Sequence, residues 1–175
     1  DRPMAAIAGR RSLRRFLPDP VPAETLARLI TAAGHAPSAH NRQPWRFRVV
    51  TDGPEKAHLA ATMGARLERD RAADGDDPAL IAQDVQRSGT RINGAPALIA
   101  VCLTLEEMDR YPDARRNRAE LTMAVQSAAM AAQNLLLAAH AEGYGTCWMC
   151  APLFCAEAVQ QALALPQSWE PQGLI

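Results

Sequence analysis

The spacing of apolar positions changes period several times along the chain, and each change marks an element. Met4 to Arg10 reads as a short helix broken near Gly9. Pro18, Pro20 and Pro22 then force an extended or turning stretch, because each fixes φ and removes a backbone donor. Leu26, Leu29, Ile30 and Ala33 recur at helical spacing behind Pro22, which suits the first position of a helix, and Gly34 ends it. A polar, turn-rich stretch from Pro37 to Pro44 leads into a strand at 45–51, where Phe47 and Val49 alternate with Arg46 and Arg48. Leu59, Met63 and Leu67 predict an amphipathic helix over 54–73. The acidic stretch Asp74 to Asp77 is a loop, and Pro78 opens another helix running to about Arg91.

Gly94-Ala95-Pro96 punctuates the chain before a nearly continuous apolar run at 97–105, the pattern of a strand buried on both faces. A long helix is predicted over 116–142, closed by Gly143. Its small residues Ala124, Ala128, Ala131, Ala132, Ala138 and Ala139 allow another backbone to come close. A strand at 145–150, a helix at 152–165 and a last strand starting near Gln172 complete the pattern. Strands separated by helical stretches, with no hairpin signals, predict an α/β or α+β sheet with helical faces. The strands are few for a free-standing sheet, which points to truncation or to completion by a partner.

Composition narrows the picture. A chain of 175 residues suits one domain, residues 1–175, able to bury well over half of its surface. It begins without Met and stops inside an apolar run, so both ends look cut: we expect part of a longer polypeptide, with the domain truncated at its C-terminal end. Hydrophobic residues make up 48% and charged residues 22%, which excludes disorder. Nineteen basic and nineteen acidic residues cancel, arguing against nucleic acid or an anionic membrane as partner of the whole molecule. The cancellation conceals an asymmetry: residues 1–50 carry nine Arg against Asp1, Asp19 and Glu24. Lys56 is the only Lys, and 35 residues are Ala, a habit that base composition alone can produce. The most apolar window, Met123 to Ala141, holds Gln126, Ser127, Gln133, Asn134 and His140, too polar for a lipid-spanning helix. No basic-then-apolar leader is visible, and four Cys in this length are no disulfide scaffold. A cytoplasmic protein is expected.

Three segments can carry chemistry. In Arg10-Arg11-Ser12-Leu13-Arg14, three guanidiniums and a hydroxyl could surround a phosphate, since Arg donates paired hydrogen bonds to anionic oxygens; a solvated basic surface is the alternative. Pro37-Ser38-Ala39-His40-Asn41-Arg42-Gln43-Pro44 offers neutral donors and acceptors suited to a heteroaromatic edge, or else a simple Asx or Ser turn. His40 has no carboxylate in its sequence neighbourhood. In Gly143 to Pro152, Cys147-x-x-Cys150 invites a dithiol or zinc reading. No second ligand pair exists for zinc, no metal site is expected, and the pair falls on a strand end rather than at a helix start. A glycine-rich approach to Trp148 and Met149 better suits backbone lying against a flat ring. Neither a dinucleotide glycine motif, a P-loop nor a nucleophile elbow is present.

Arg10-Arg11-Ser12-x-Arg14-x-Phe16, Ala36-Pro37-Ser38-x-x-Asn41-x-Gln43-Pro44-Trp45, and Asn93-Gly94-Ala95-Pro96 before a strand together resemble the FMN-dependent nitroreductase family, across essentially the whole chain. Tyr111-Pro112-Asp113-Ala114, Ala119 to Met123, Gly145-Thr146-Cys147-Trp148 and Trp169-Glu170-Pro171 are similar to the nitroreductase-like C-terminal domain of the gamma-glutamyl ligase that builds a deazaflavin coenzyme. The resemblance implies an α+β fold, a central mixed sheet flanked by helices, and a homodimer joined through the long central helix. FMN would lie at the subunit interface. Arg10, Ser12 and Arg14 would bind its phosphate and pyrimidine edge with Arg11 assisting, Ser38 and Asn41 would line it from the other subunit, and Met149, Cys150 and Ala151 would face the reactive flavin nitrogen. Relatives continue to a further basic phosphate contact, which would lie past Ile175. At the place of Cys150 they commonly hold Gly or an acid, so the CxxC looks incidental.

The implied activity is hydride transfer from a reduced nicotinamide or deazaflavin donor to an electron-poor acceptor: a nitroaromatic, a quinone or an unsaturated coenzyme precursor. No protein residue need be catalytic, because the flavin carries the chemistry. Two alternatives share the fold: the flavin-fragmenting synthase of the cobalamin lower ligand, and a flavin-binding domain without turnover.

Overall fold

The computed structural model describes residues 2–175 and contains six α-helices and three strands among them: α1 (Arg2–Gly9), α2 (Ala23–Gly34), β1 (Trp45–Val50), α3 (Gly53–Ala73), α4 (Pro78–Gly94), β2 (Leu98–Leu103), α5 (Ala114–Ala141), α6 (Ala156–Ala162) and β3 (Glu170–Leu174). The strands form one sheet in the order β1-β2-β3, and both pairings are antiparallel. Trp45 lies opposite Leu103 and Val50 opposite Leu98; Ala100 lies opposite Leu174, and the β2–β3 register shifts between Val101 and Cys102.

All six residues of β2 are buried, as the unbroken apolar run requires of a central strand covered on both faces. Its period of two divides the core. Ile99 and Leu103 join Leu26 and Leu29 of α2 and Ala124, Ala128, Ala131 and Leu135 of α5 on one face. Leu98, Ala100 and Cys102 join Leu59 and Met63 of α3, Ile92 of α4 and Val159 of α6 on the other. α5 buries Glu120, Ala124, Ser127, Ala128, Ala131, Ala132, Leu135, Leu136 and Ala139, one stripe at helical spacing. It is 28 residues long and the one helix among those described long and apolar enough to cross a membrane by composition; the buried stripe shows what its apolar side packs against instead. Val125 and Met130 sit on its other side, 39% exposed each.

Side-chain caps set several helix starts. Asp52, Asp77 and Asp113 accept from the N–H of Glu55, Ala79 and Arg116, closing the first turns of α3, α4 and α5. Pro22 precedes α2 as its cap residue rather than forming its first position. Lys56, in the first turn of α3, is buried at 8% exposure with Nζ on the Ala95 carbonyl (2.6 Å).

Three sequence expectations need correction. The central sheet, expected to be mixed, is antiparallel throughout. The strand expected at 145–150 is two isolated bridges, a parallel one from Ser12 to Thr146 and an antiparallel one from Met149 to Leu174, the first of them outside the sheet. Its middle is given over to Trp148, whose indole lies flat on Gly173, where any Cβ would overlap the ring. The helix expected at 152–165 is instead a 3-10 turn at Ala151–Phe154 followed by α6, because Cys155 (φ −146°, ψ 39°) breaks helical geometry between them. Ala164, left-handed at φ 47°, comes just after α6.

Candidate functional site

The arginine motif leaves α1 as an extended segment. Arg11 turns back, its Nη1 donating to the carbonyls of Ala8 (2.7 Å) and Arg10 (2.9 Å), so it caps the helix it follows. Ser12 then bridges Thr146, and the Leu13 N–H donates to the Thr146 carbonyl (2.9 Å). Leu13 settles on Gly145, where a Cβ would come within 2.7 Å of Leu13 Cδ1; only glycine admits that approach. Three residues past Thr146, Met149 exchanges backbone hydrogen bonds with Leu174, and the chain turns at Cys150. Residues 10–14 and 149–151, 135 positions apart in sequence, are thereby brought to one end of the sheet. The N–H groups of Cys150 and Ala151 find no acceptor among the described residues.

Charge is distributed unevenly over the first fifty residues. Arg28 pairs with Glu142 (2.6 Å), Arg42 with Asp109 (2.8 Å) and Arg48 with Glu55 (2.7 Å), while Arg46 donates to the Gln43 and Trp45 carbonyls. The Arg28 hydrogen bond holds the Glu142 carboxyl below its ordinary range. Arg10, Arg11, Arg14 and Arg15 have no carboxylate within 4 Å among the described residues. Among the described residues of this stretch, three Arg are thus paired with acids and Arg46 is held by carbonyls, whereas the motif keeps its guanidiniums free of carboxylates; together with the exposed Ser12 hydroxyl it makes a donor set matched to a phosphate dianion.

The second segment is a strained loop. His40, Asn41 and Gln43 all take left-handed backbone (φ 51°, 52° and 48°), a conformation that costs roughly 1 kcal/mol or more at each non-glycine residue and persists where the surroundings dictate it. Ser38 Oγ accepts the Gln43 N–H (3.0 Å), and Asn41 Oδ1 accepts Gln43 Nε2 (3.1 Å). The Ala39 N–H reaches Ser127 Oγ on α5 (3.3 Å), and Arg42 ties the loop to Asp109, whose N–H donates to the buried Glu120 of α5 (3.3 Å). Gln43 closes the loop from both sides, and its role was visible only as one polar residue among several.

The structure does not bring this loop to the arginine motif. Gly9 packs against His140 near the C-terminal end of α5, whereas Ala39 is held at Ser127. Thirteen helical residues separate the two anchors, about 20 Å along the axis. No hydrogen bond joins Ser38 or Asn41 to Arg10–Arg14 among the described residues.

The CxxC pair is not a dithiol. Around the Met149 bridge the chain is extended, so neighbouring side chains alternate in direction. Cys150 accepts from Trp148 Nε1 (2.9 Å) on one side, and Cys147 lines a cleft on the other. Cys102 and Cys155 are buried; burial pushes the Cys102 thiol up to about 12 and raises Cys155 as well, leaving Cys147 and Cys150 as the accessible thiols. No group of three or more metal-ligating side chains occurs among the described residues. The cleft, about 500 Å³, lies between residues 13–21, the start of β2 and Tyr144–Cys147. Thr146 Oγ1 lies buried at its wall with no hydrogen-bond partner, a feature without a sequence signal.

Residues 7–175 match the nitroreductase family model. The chain is 32% identical over 163 residues to the 5,6-dimethylbenzimidazole synthase of Rhodospirillum rubrum, covering 91% of this chain and 73% of that protein. It superposes on a protein from Desulfovibrio desulfuricans solved in complex with FMN, with a TM-score of 0.76, 30% identity, and coverage of 99% of this chain and 83% of the other. A BluB-like flavoprotein from Clostridium difficile 630 shares the fold with a TM-score of 0.80 at 23% identity, covering 98% and 86%.

Proposed function

Because the chain belongs to the nitroreductase family, we propose that this oxidoreductase works with FMN, passing hydride from a reduced nicotinamide or deazaflavin to an electron-poor acceptor. The observation that carries the reading is the un-neutralised arginine motif bridged at Ser12 and Leu13 to Thr146, three residues before Met149. The residues present suit the cofactor: Arg10, Arg14 and Ser12 offer charged and neutral donors to a phosphate and a ring edge, and the free N–H groups of Cys150 and Ala151 offer two donors to the ring.

FMN, when bound, supplies the hydride-accepting and hydride-donating centre. The protein does the rest. Guanidiniums beside the pyrimidine edge favour the negative charge that gathers there on reduction, an effect strengthened by their lack of competing carboxylates. The spacing of about 20 Å between the two anchors along α5 supports a homodimer in which Ser38 and Asn41 of one chain line the flavin of its partner, with the exposed side of α5 that carries Met130 as the contact. The strained loop, fixed by Gln43, Ser127 and Asp109, then presents its remaining donors without rearrangement. No general acid or base is required.

The test is an absorbance spectrum after adding FMN, followed by anaerobic reduction with NADH, NADPH or reduced deazaflavin and reoxidation by a quinone or nitroaromatic. Bleaching with one donor and recovery with an acceptor is the expected result; protein that takes up no FMN overturns the reading. A second reading is favoured by the 32% identity to 5,6-dimethylbenzimidazole synthase: fragmentation of reduced flavin under oxygen. A benzimidazole product from FMN, donor and oxygen, with no acceptor turnover, would select it. Response to reduced deazaflavin alone would support the kinship to the deazaflavin-coenzyme ligase domain.

A further inference from the structure

Of the nineteen basic side chains all but one are Arg, and the single Lys stands where a cation is hard to hold. Lys56 occupies the first turn of α3, the end at which the helix dipole opposes positive charge. It is 8% exposed, and no carboxylate lies within 4 Å of its Nζ among the described residues. The acids nearest to it in sequence are engaged elsewhere: Asp52 accepts the Glu55 N–H (2.9 Å), and Glu55 pairs with Arg48 (2.7 Å). The ammonium is held by the Ala95 carbonyl, at the end of α4 (2.6 Å). That contact takes one of three N–H donors and offers a dipole rather than a counter-charge. Burying a cation on those terms is costly.

Lys56 is also the one charged residue lining a groove of about 660 Å³ between residues 18–21, α2, the end of β1 and the first turn of α3. Val21, Ala27, Ile30, Val49 and Pro96 give it apolar walls, and Thr51 adds a hydroxyl at the exposed rim. Pro96 directly follows the carbonyl that holds Nζ, so the ammonium sits beside that wall. Small-molecule sites commonly enclose about 300–1,000 Å³ and set a few fixed polar groups in apolar walls. A neutral apolar ligand would bury the ammonium further without answering its charge. A bare anion would answer the charge and leave the walls wet. A carboxylate on a hydrocarbon body does both: its head accepts the remaining Lys56 donors in charge-assisted hydrogen bonds, and its body covers Val21, Ile30 and Val49. We propose that this groove binds a small monocarboxylic acid with an apolar body, anchored by Lys56. A compact ammonium suits a narrow buried place better than a planar guanidinium fork, which accounts for the one departure from Arg. The site lies apart from the arginine motif and stands independently of the flavin reading.

The chain's sole lysine makes the test direct, because isotope-labelled lysine gives a single side-chain signal in NMR. That signal is followed in the 175-residue chain while hexanoate, hexanol, acetate or inorganic phosphate is added. Hexanoate should shift it saturably, and each of the other three should bind at least about tenfold more weakly. Ala27 is exposed on α2 at the groove wall, so Ala27→Glu should fold normally. By setting a carboxylate in the groove, it should weaken hexanoate at least about tenfold. Lys56→Met keeps the apolar stem without the charge and should bind hexanoate no better than hexanol. If that variant does not fold, Ala27→Glu and the comparison of the four compounds still decide. Hexanol binding as tightly as hexanoate would mean an apolar groove only, and acetate or phosphate doing so would mean a plain cation. Either result overturns the proposal. A Lys56 signal unmoved by hexanoate would assign the lysine solely to capping α4 and would overturn it too, as would undiminished binding by Ala27→Glu.

Discussion

Arg10 and Arg48 are the same side chain in opposite situations. Arg48 is held by Glu55 and the Val49 carbonyl, whereas Arg10 has no acid within reach among the described residues. Removing Arg10 therefore removes an uncompensated cation, and removing Arg48 removes a surface pair of small worth. A charge-assisted contact to phosphate contributes about 1.5–3 kcal/mol. Arg10→Ala should then weaken FMN binding by roughly ten- to a hundredfold, and Arg48→Ala by less than about twofold, as read by flavin fluorescence titration. Equal losses in both would show that bulk charge rather than a site holds the phosphate. The distinction was half legible in the sequence. The motif stood out as a run of Arg, but which of nine Arg lack partners depends on Glu142, Asp109 and Glu55, and only the folded chain sets those distances.

At the scale of elements, α5 organises the site from its middle and its last turn: the strained loop is pinned at Ser127 and Gly9 packs near the C-terminal end. Its start rests on Asp113, whose carboxyl is held below its ordinary range chiefly by the Arg116 N–H, then by the Arg116 side chain. A carboxyl depressed in the folded state stabilises above its unfolded pKa, and that contribution fades as pH falls through the folded value. Urea midpoints measured between pH 7 and pH 3 should show Asp113→Ala less stable at neutral pH, with the gap from the parent chain closing toward pH 3. A constant gap would assign the loss to packing instead. Helices longer than four turns were readable from apolar spacing, because that signal accumulates over many residues. The 145–150 segment was misread because its apolar run matches a strand, while Trp148 lying on Gly173 limits its pairing to single bridges. That contact joins residues 25 apart and leaves no local pattern. The left-handed residues His40, Asn41 and Gln43 escaped for a related reason: turn chemistry predicts a turn there, not three such costs within four positions, sustained by α5 and Asp109.

For the whole molecule, the proposed cofactor cleft needs two copies of the chain. Met130 is 39% exposed on the outer side of α5, away from the buried stripe. Met130→Asp should leave the monomer folded, since surface changes cost little within a subunit. In sedimentation it should shift the chain from dimer to monomer, and FMN affinity should fall with it, because Ser38 and Asn41 would no longer reach the partner's flavin. A monomeric variant that binds FMN as tightly as the parent would refute the shared site. The choice of method for following that assembly is constrained by Lys56, whose amine is tucked against the Ala95 carbonyl. As the chain's sole lysine, it leaves the surface with guanidinium as its only permanent cation. Amine-reactive cross-linkers and dyes will thus be confined on the native protein to the chain's α-amine, and labelling of Lys56 will report the opening of α3 instead of the approach of another subunit.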